Sequence, residues 1–125
     1  VTAGSDGRVA FGYVGDVGNQ TWNGYMTILT DAFSENPLFT TVQVNLPEDP
    51  IDSSNAYPEG CGYERCGGLG DFLDMAVDQH GRPWFSLANN DAGEIGIFAT
   101  ITDGPSLRGD LQELNPMPLG GALTL

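Results

Sequence analysis

The sequence predicts an all-β protein that consists of about two four-stranded antiparallel blades of a larger β-propeller. Three observations support this prediction: short runs of β-branched and aromatic residues, turn-forming residues between the runs, and an internal repeat. The 125 residues include 18 glycines and 8 prolines, which leaves little room for long helices. A chain of this length is enough for one modest core and therefore for one domain.

Six segments have the composition of strands. They are rich in β-branched and aromatic residues, most are bounded by Gly, Asp or Asn turns, and they cover residues 8–14, 24–30, 39–45, 71–77, 82–88 and 94–102. The sequence predicts one helical turn over residues 31–38, which ends at Asn36-Pro37. A further short strand is a candidate at residues 122–125.

The two halves of the chain repeat one another. Gly7-Arg8 and the strand behind it correspond to Gly81-Arg82 at an offset of 74 residues, and Thr30-Asp31 corresponds to Thr102-Asp103 at an offset of 72. Four short strands per unit is the pattern of a propeller blade. The predicted organisation is a first blade over about residues 1–47, a disulfide loop over 48–70, a second blade over about 71–104 and a tail over 105–125.

The size of the chain conflicts with a complete propeller. Propellers close with about four blades or more, and two blades alone leave both sides of the stack exposed. We therefore expect the chain to be part of something larger, with the remaining blades of the same propeller or other copies of the protein as its partners. The alternative is a self-contained β-sandwich of about seven short strands.

The charge of the chain excludes several classes of partner. It has 17 acidic residues against four arginines and no lysine, which gives a formal net charge of -13. Such a surface repels phosphate backbones and anionic lipid headgroups, so we expect neither nucleic-acid nor membrane-surface binding. No apolar run approaches the roughly 20 residues that cross a bilayer, so no membrane span is expected.

Two cysteines lie close together in a glycine-rich segment. Glycines on both sides of Cys61 and Cys66 let the backbone turn back on itself, as a short disulfide loop requires. A metal site is a second interpretation, although both cysteines and His80 need added carboxylates to complete a zinc shell. Two reduced, buried thiols are the third. The disulfide, together with the acidic surface, predicts a secreted, extracellular protein.

Three segments resemble a known family: VTAGSDGRVAFGY at residues 1–13, LGDFLDMAVD at 69–78 and GRPW at 81–84. They are similar to the sialidase-like (BNR-type) β-propellers of secreted microbial proteins, most of all to the C-terminal blades, over residues 1 to about 104. The resemblance implies a six-bladed propeller and secretion. In the true enzymes of the family it implies hydrolysis of terminal sialic acids by three arginines, a Tyr–Glu nucleophile pair and an Asp acid/base.

The catalytic pattern of that family does not carry over well. No Arg-Ile-Pro motif is present, and the Asp-box (Ser-x-Asp-x-Gly-x-x-Trp) is only echoed by residues 78–84, at a different point in the blade. Arg8 and Arg82 occupy repeated turn-to-strand positions, where capping a turn or pairing with an acid is the expected role. Arg65 lies in the disulfide loop and Arg108 in the tail.

The expected function is therefore an extracellular binding or structural module, formed by a fragment of a secreted sialidase-like propeller. One alternative is a glycoside hydrolase of the exo-sialidase type, whose active centre is completed by blades outside this chain. A second alternative is a subunit of an extracellular filament or surface assembly that pairs through exposed strand edges.

Candidate site residues are few. Asp71 and Asp74 are the weak catalytic candidates, because one of two acids spaced i, i+3 on an innermost strand would face a propeller channel; turn capping is the alternative. Asn89, Asp91 and Glu94 resemble the first half of a calcium loop, against a plain hairpin turn.

Aromatic residues and one histidine complete the candidates. Trp22, Trp84, Phe11 and Phe85 would form a carbohydrate-stacking platform if they are exposed, although repeated aromatics are typical of a core. His80, beside a glycine in a tight turn, is expected to be exposed and structural.

Overall fold

The computed structural model describes residues 1–16, 18, 21–53, 73–89 and 95–109, and this part of the chain is all-β without a helix. The seven strands are, in chain order, β1 (Thr2–Ala3), β2 (Val9–Asp16), β3 (Trp22–Leu29), β4 (Thr40–Gln43), β5 (Asp74–Val77), β6 (Pro83–Asn89) and β7 (Ile95–Thr100). The first four form sheet A and the last three form sheet B, each with its strands in chain order and all pairs antiparallel. The all-β prediction is confirmed.

Sheet B differs from the prediction in its number of strands. Four strands were expected in each unit, and the described residues of the second unit form three. The candidate strand at residues 122–125 lies outside the described part of the chain, as does most of the predicted disulfide loop.

The predicted helical turn over residues 31–38 is wrong. This segment is a series of turns and bends, in which the Ser34 N–H donates to the Asp31 carbonyl at 2.8 Å. The Asp31 carboxylate accepts a hydrogen bond from the Leu38 N–H at 3.1 Å. An aspartate at the start of a segment offers the backbone such side-chain bonds in place of helical ones, which explains the difference.

The internal repeat is present in the strand register. Thr2 pairs with Ala10 in sheet A, and Ala76 pairs with Trp84 in sheet B, each partner 74 positions later. The same correspondence extends to the third strands, which lie 72 positions apart. The first three strands of sheet A and the three strands of sheet B are thus two copies of one antiparallel meander.

The turns between the first and second strands also correspond. Gly7 has a φ of 70° and Gly81 a φ of 81°, a conformation that favours glycine. The Gly7 carbonyl accepts a hydrogen bond from the Ala32 N–H, and the Gly81 carbonyl accepts one from the Leu107 N–H, both at 2.9 Å. In each unit, the segment after the third strand therefore closes over the first turn.

The core lies between the two sheets. Its buried residues come from both sheets and from two connecting segments: Ala10, Met26, Ile28, Ile51, Met75, Phe85, Leu87 and Leu107. Gly12 and Gly24 lie where sheet A meets the side chains of Phe85 and Leu87. The two missing Cβ atoms let β6 approach β2 and β3 closely.

Two buried residues come from segments that were expected to be a loop and a tail. Ile51 is fully buried, and its N–H donates to the Trp22 carbonyl at 3.0 Å, while the Asp52 carbonyl accepts from the Trp22 N–H at 2.7 Å. Leu107 is also fully buried, between the turns of the two units. These segments close the core at its margins.

Candidate functional site

Five of the predicted catalytic, metal and disulfide residues lie outside the described part of the chain. These are Asp71, Asp91, Glu94, Cys61 and Cys66. The disulfide and most of the calcium loop therefore stay predictions.

Asp74 is the catalytic candidate that the structure describes. It is the first residue of β5 and is exposed, and one of its carboxylate oxygens accepts a hydrogen bond from the Met75 N–H at 2.8 Å. Ser86 lies opposite it on β6, with its hydroxyl 3.4 Å from the Asp74 carbonyl.

Asn89, the calcium candidate that is described, ends β6 and is buried. In the described ranges, no group of three or more His, Cys, Asp or Glu side chains is placed to hold a metal ion.

The turn before β6 is organised by the carboxylate of Asp78. One oxygen accepts from the N–H groups of His80 and Arg82 at 2.8 and 2.9 Å, and the other accepts from the Trp84 indole N–H at 3.2 Å. Partial burial raises the pKa of Asp78, but these hydrogen bonds and the Arg82 charge outweigh it and hold the pKa below its usual 3.8. His80 itself is exposed, as expected.

The arginines among the described residues all interact with groups around the turns that precede β2 and β6. The Arg82 Nη1 lies 3.8 Å from the Asp78 Oδ2, and the Arg8 Nη1 donates to the Ser106 carbonyl at 2.6 Å. The Arg108 Nε donates to the Asp78 carbonyl at 3.0 Å. Arg82 thus pairs with a neighbouring acid, as expected, whereas Arg8 bonds a backbone carbonyl of the Leu107 segment.

The segment around Leu107 joins the two units. Its carbonyl accepts a hydrogen bond from the Ser5 N–H at 2.8 Å, and the Gly109 N–H donates to the Ser5 hydroxyl, also at 2.8 Å. The Leu107 N–H meanwhile donates to Gly81 in the second unit. The second unit thus reaches back to the first turn of the preceding unit.

A cavity of about 280 Å³ lies beside this junction. It is lined by β1, by Gly4 and Ser5 of the first turn, by Val77 and by the exposed Arg108. The Thr2 and Ser5 hydroxyls and the Arg108 guanidinium are the kinds of groups that bind hydroxylated or anionic small molecules.

The side of sheet A that faces away from sheet B is aromatic. We call this the outer face of sheet A; it carries Phe11, Tyr13 and Tyr25. The Phe11 and Tyr13 ring centroids are 6.0 Å apart, and those of Tyr13 and Tyr25 are 5.4 Å apart, so the three rings form a ladder. Tyr13 is 39% exposed, whereas its repeat equivalent Leu87 is 2% exposed.

The opposite side of the molecule is the outer face of sheet B, which carries Trp84, Ser86 and Phe98. These residues and Asp74 contribute to a shallow apolar groove of about 180 Å³. Phe98 is 75% exposed, whereas its repeat equivalent Met26 is fully buried. Of the two β6 residues in the predicted aromatic platform, Trp84 lies on this outer face and Phe85 is buried in the core.

Equivalent faces of the two units are thus in opposite environments. Sheet A buries the side that carries Ala10 and Met26, and the same side of sheet B is its outer face. Sheet B buries the side that carries Phe85 and Leu87, and the same side of sheet A is its outer face. The two units are stacked in one direction, as successive repeats, and not related by a two-fold axis.

The chain matches no family model, no curated protein and no solved structure. None of the described elements is a helix long and apolar enough to cross a membrane.

Proposed function

We propose that the chain supplies two successive repeat units of a secreted sialidase-like β-propeller and acts there as an extracellular binding or structural module. The observation that carries this proposal is the one-directional stacking of the two sheets. In such a stack, one face of each unit packs against the opposite face of the next. However many units are added, one face of each kind stays uncovered at the two ends.

The outer faces of sheet A and sheet B are further arguments for a neighbouring unit on each side of the chain. Two residues of the aromatic ladder, Phe11 and Tyr13, occupy positions whose equivalents in sheet B, Phe85 and Leu87, are buried against sheet A. Phe98, on the opposite side of the molecule, occupies a position whose equivalent is buried as well. Apolar side chains at both ends of the stack are what repeat proteins cover with further units or with polar capping units.

The position of the first strands also supports a propeller. β1 contacts β5, and β5 also contacts β2, so the two meanders are close together at their first strands. In a propeller, the first strand of each blade lies nearest the central channel and meets the first strands of its neighbours. The extracellular location rests on the acidic, lysine-free composition and on the predicted Cys61–Cys66 disulfide.

The cavity beside Arg108 supports the binding part of the proposal. It lies between the first turn and the end of β5, on the side of the first strands. Its hydroxyls and guanidinium suit a carbohydrate or another hydroxylated ligand.

The experiment that tests this function is light scattering coupled to size exclusion on the native particle, with denaturing intact mass on the same peak. We expect a particle larger than the 13.2 kDa of this chain. The denaturing mass then shows whether the additional units belong to one polypeptide or to a partner. A folded native particle of 13.2 kDa would contradict the proposal and favour a small β-sandwich.

A further inference from the structure

We infer that the unit covering the outer face of sheet A is not a second copy of this chain but a non-identical repeat unit with glycine opposite Phe11. This inference rests on the proposed function, and it names the partner of the outer face. It starts from the interface that the structure already contains, between sheet A and sheet B.

In that interface, the Phe85 ring occupies the space above Gly12. A Cβ atom at Gly12 would lie 2.5 to 2.7 Å from three carbons of the ring, which is closer than non-bonded carbons approach. A phenylalanine at this position of one unit therefore requires glycine at the facing position of the next. Phe85 and Gly12 form a matched pair.

The outer face of sheet A presents the same requirement to its neighbour. Phe11 is the repeat equivalent of Phe85, with the same register against the third strand. The unit that stacks on it in the same way must therefore have glycine at the position equivalent to Gly12. Beside that glycine, the internal interface uses a small residue, Ala10.

A second copy of this chain does not provide that surface. It would offer the outer face of sheet B, where Ser86 stands at the Gly12 position and Trp84 at the Ala10 position. The Ser86 side chain occupies the space that the phenyl ring needs. Gly96 retains the glycine of Gly24, so the mismatch is local to Ser86 and its bulky neighbours.

Electrostatics adds to this steric mismatch. Each copy carries a formal charge of -13, so two copies repel one another at low ionic strength. The test is therefore made at about 1 M salt, where the Debye length of about 3 Å screens this repulsion and leaves packing to decide.

The experiment uses the full chain as wild type and as the double variant Trp84→Ala/Ser86→Gly, which gives the outer face of sheet B the alanine and glycine of the internal interface at these two positions. Sedimentation equilibrium over a wide concentration range measures the mass, and circular dichroism checks the β structure of each protein. The single variant Ser86→Gly keeps the Trp84–Asp78 hydrogen bond and serves if the double variant does not fold. Binding of an uncharged apolar dye reports whether the outer faces are accessible.

We expect the wild-type chain, isolated from the neighbouring units of the native particle, to remain at 13.2 kDa. The variant with glycine at position 86 should associate with rising concentration, and Phe11→Ala in the same chain should abolish that association. Wild-type association that is lost in Phe11→Ala would overturn the inference and leave the proposed function intact, with a second copy as the occupant. A folded variant that stays monomeric while the dye binds also overturns the inference alone. Monomers that bind no dye overturn both.

Discussion

The two repeat units share strand order and register, but equivalent residues have different neighbours in each. Phe85 is buried against Gly12, whereas Phe11, its equivalent, lies in an aromatic ladder on an outer face. Met26 is buried and its equivalent Phe98 is exposed. The comparison teaches that burial in this molecule depends on the position of a unit in the stack. The sequence of each unit determines the strands and their pairing, and the neighbour determines which face becomes core.

The largest effect is expected when each of the two equivalent phenylalanines, Phe85 and Phe11, is replaced by alanine. Phe85→Ala leaves a cavity between the sheets and should lower the free energy of unfolding by about 3–5 kcal/mol. Phe11→Ala removes a partly buried ring that packs against the margin of the core, so its cost should be smaller, about 1–2 kcal/mol. Urea unfolding followed by circular dichroism measures both.

Equal costs for the two truncations would break the comparison, because they would mean that the outer face of sheet A is as well packed as the core. In a larger particle that contains the preceding unit, we expect the cost of Phe11→Ala to rise towards that of Phe85→Ala. The same pair of variants thus also reports whether a neighbour is present.

The second test adds one methyl group at equivalent glycines. Gly24→Ala places a Cβ 2.6 Å from a Leu87 methyl carbon, and the resulting overpacking should cost about 1–3 kcal/mol. Gly96→Ala, at the equivalent position in sheet B, meets nothing within 4 Å in the described residues and should change stability by less than about 0.5 kcal/mol. Thermal unfolding of the two variants beside the wild type measures the difference.

A large loss of stability in Gly96→Ala would contradict the assignment of an open outer face to sheet B. A small loss in Gly24→Ala would mean that the two sheets separate easily. Only the Gly24→Ala result reports on the stacking between the two units, because Gly96 lies outside their interface.

Part of this fold could be predicted from the sequence, because strand propensity and turn residues are local. All six predicted strand segments contain a strand, and the offset of 74 residues identified Phe11 and Phe85 as equivalent. The alternation of a strand, however, fits burial of either face, so the exposure of Phe98 depends on a neighbour that local patterns do not specify. Knowledge of the repeat and of the stacking direction together would have predicted it.

The burial of Ile51 and Leu107 could not be predicted for a related reason. Both lie in Pro- and Gly-containing segments without strand periodicity, and they are buried because those segments fold back over the margins of the sheets. Of the catalytic and calcium candidates, Asp74 and Asn89 are among the described residues. The cavity beside Arg108 joins positions about 100 residues apart, and no local motif marks such a site.

The smallest expected effect concerns Asp78, which distinguishes the turn of the second unit from that of the first. Gly4 is the repeat equivalent of Asp78, so the first turn has no carboxylate there and is held by Ser5 and the Leu107 segment instead. Asp78→Asn replaces an acceptor beside the Trp84 indole N–H with a donor and should lower the free energy of unfolding at pH 7 by about 1 kcal/mol.

The pH dependence of that loss follows from the lowered pKa of Asp78. The folded chain favours the ionised carboxylate, so its contribution is fully present above the unfolded pKa of about 3.8 and disappears as the pH falls through the lower folded pKa. The wild type and Asp78→Asn should therefore differ most above about pH 5 and converge in acid. Other acids affect both proteins alike, so the difference between their urea midpoints isolates Asp78. A difference that persists unchanged to pH 2 would show that the hydrogen-bond geometry of the turn, and not the charge of Asp78, stabilises the second unit.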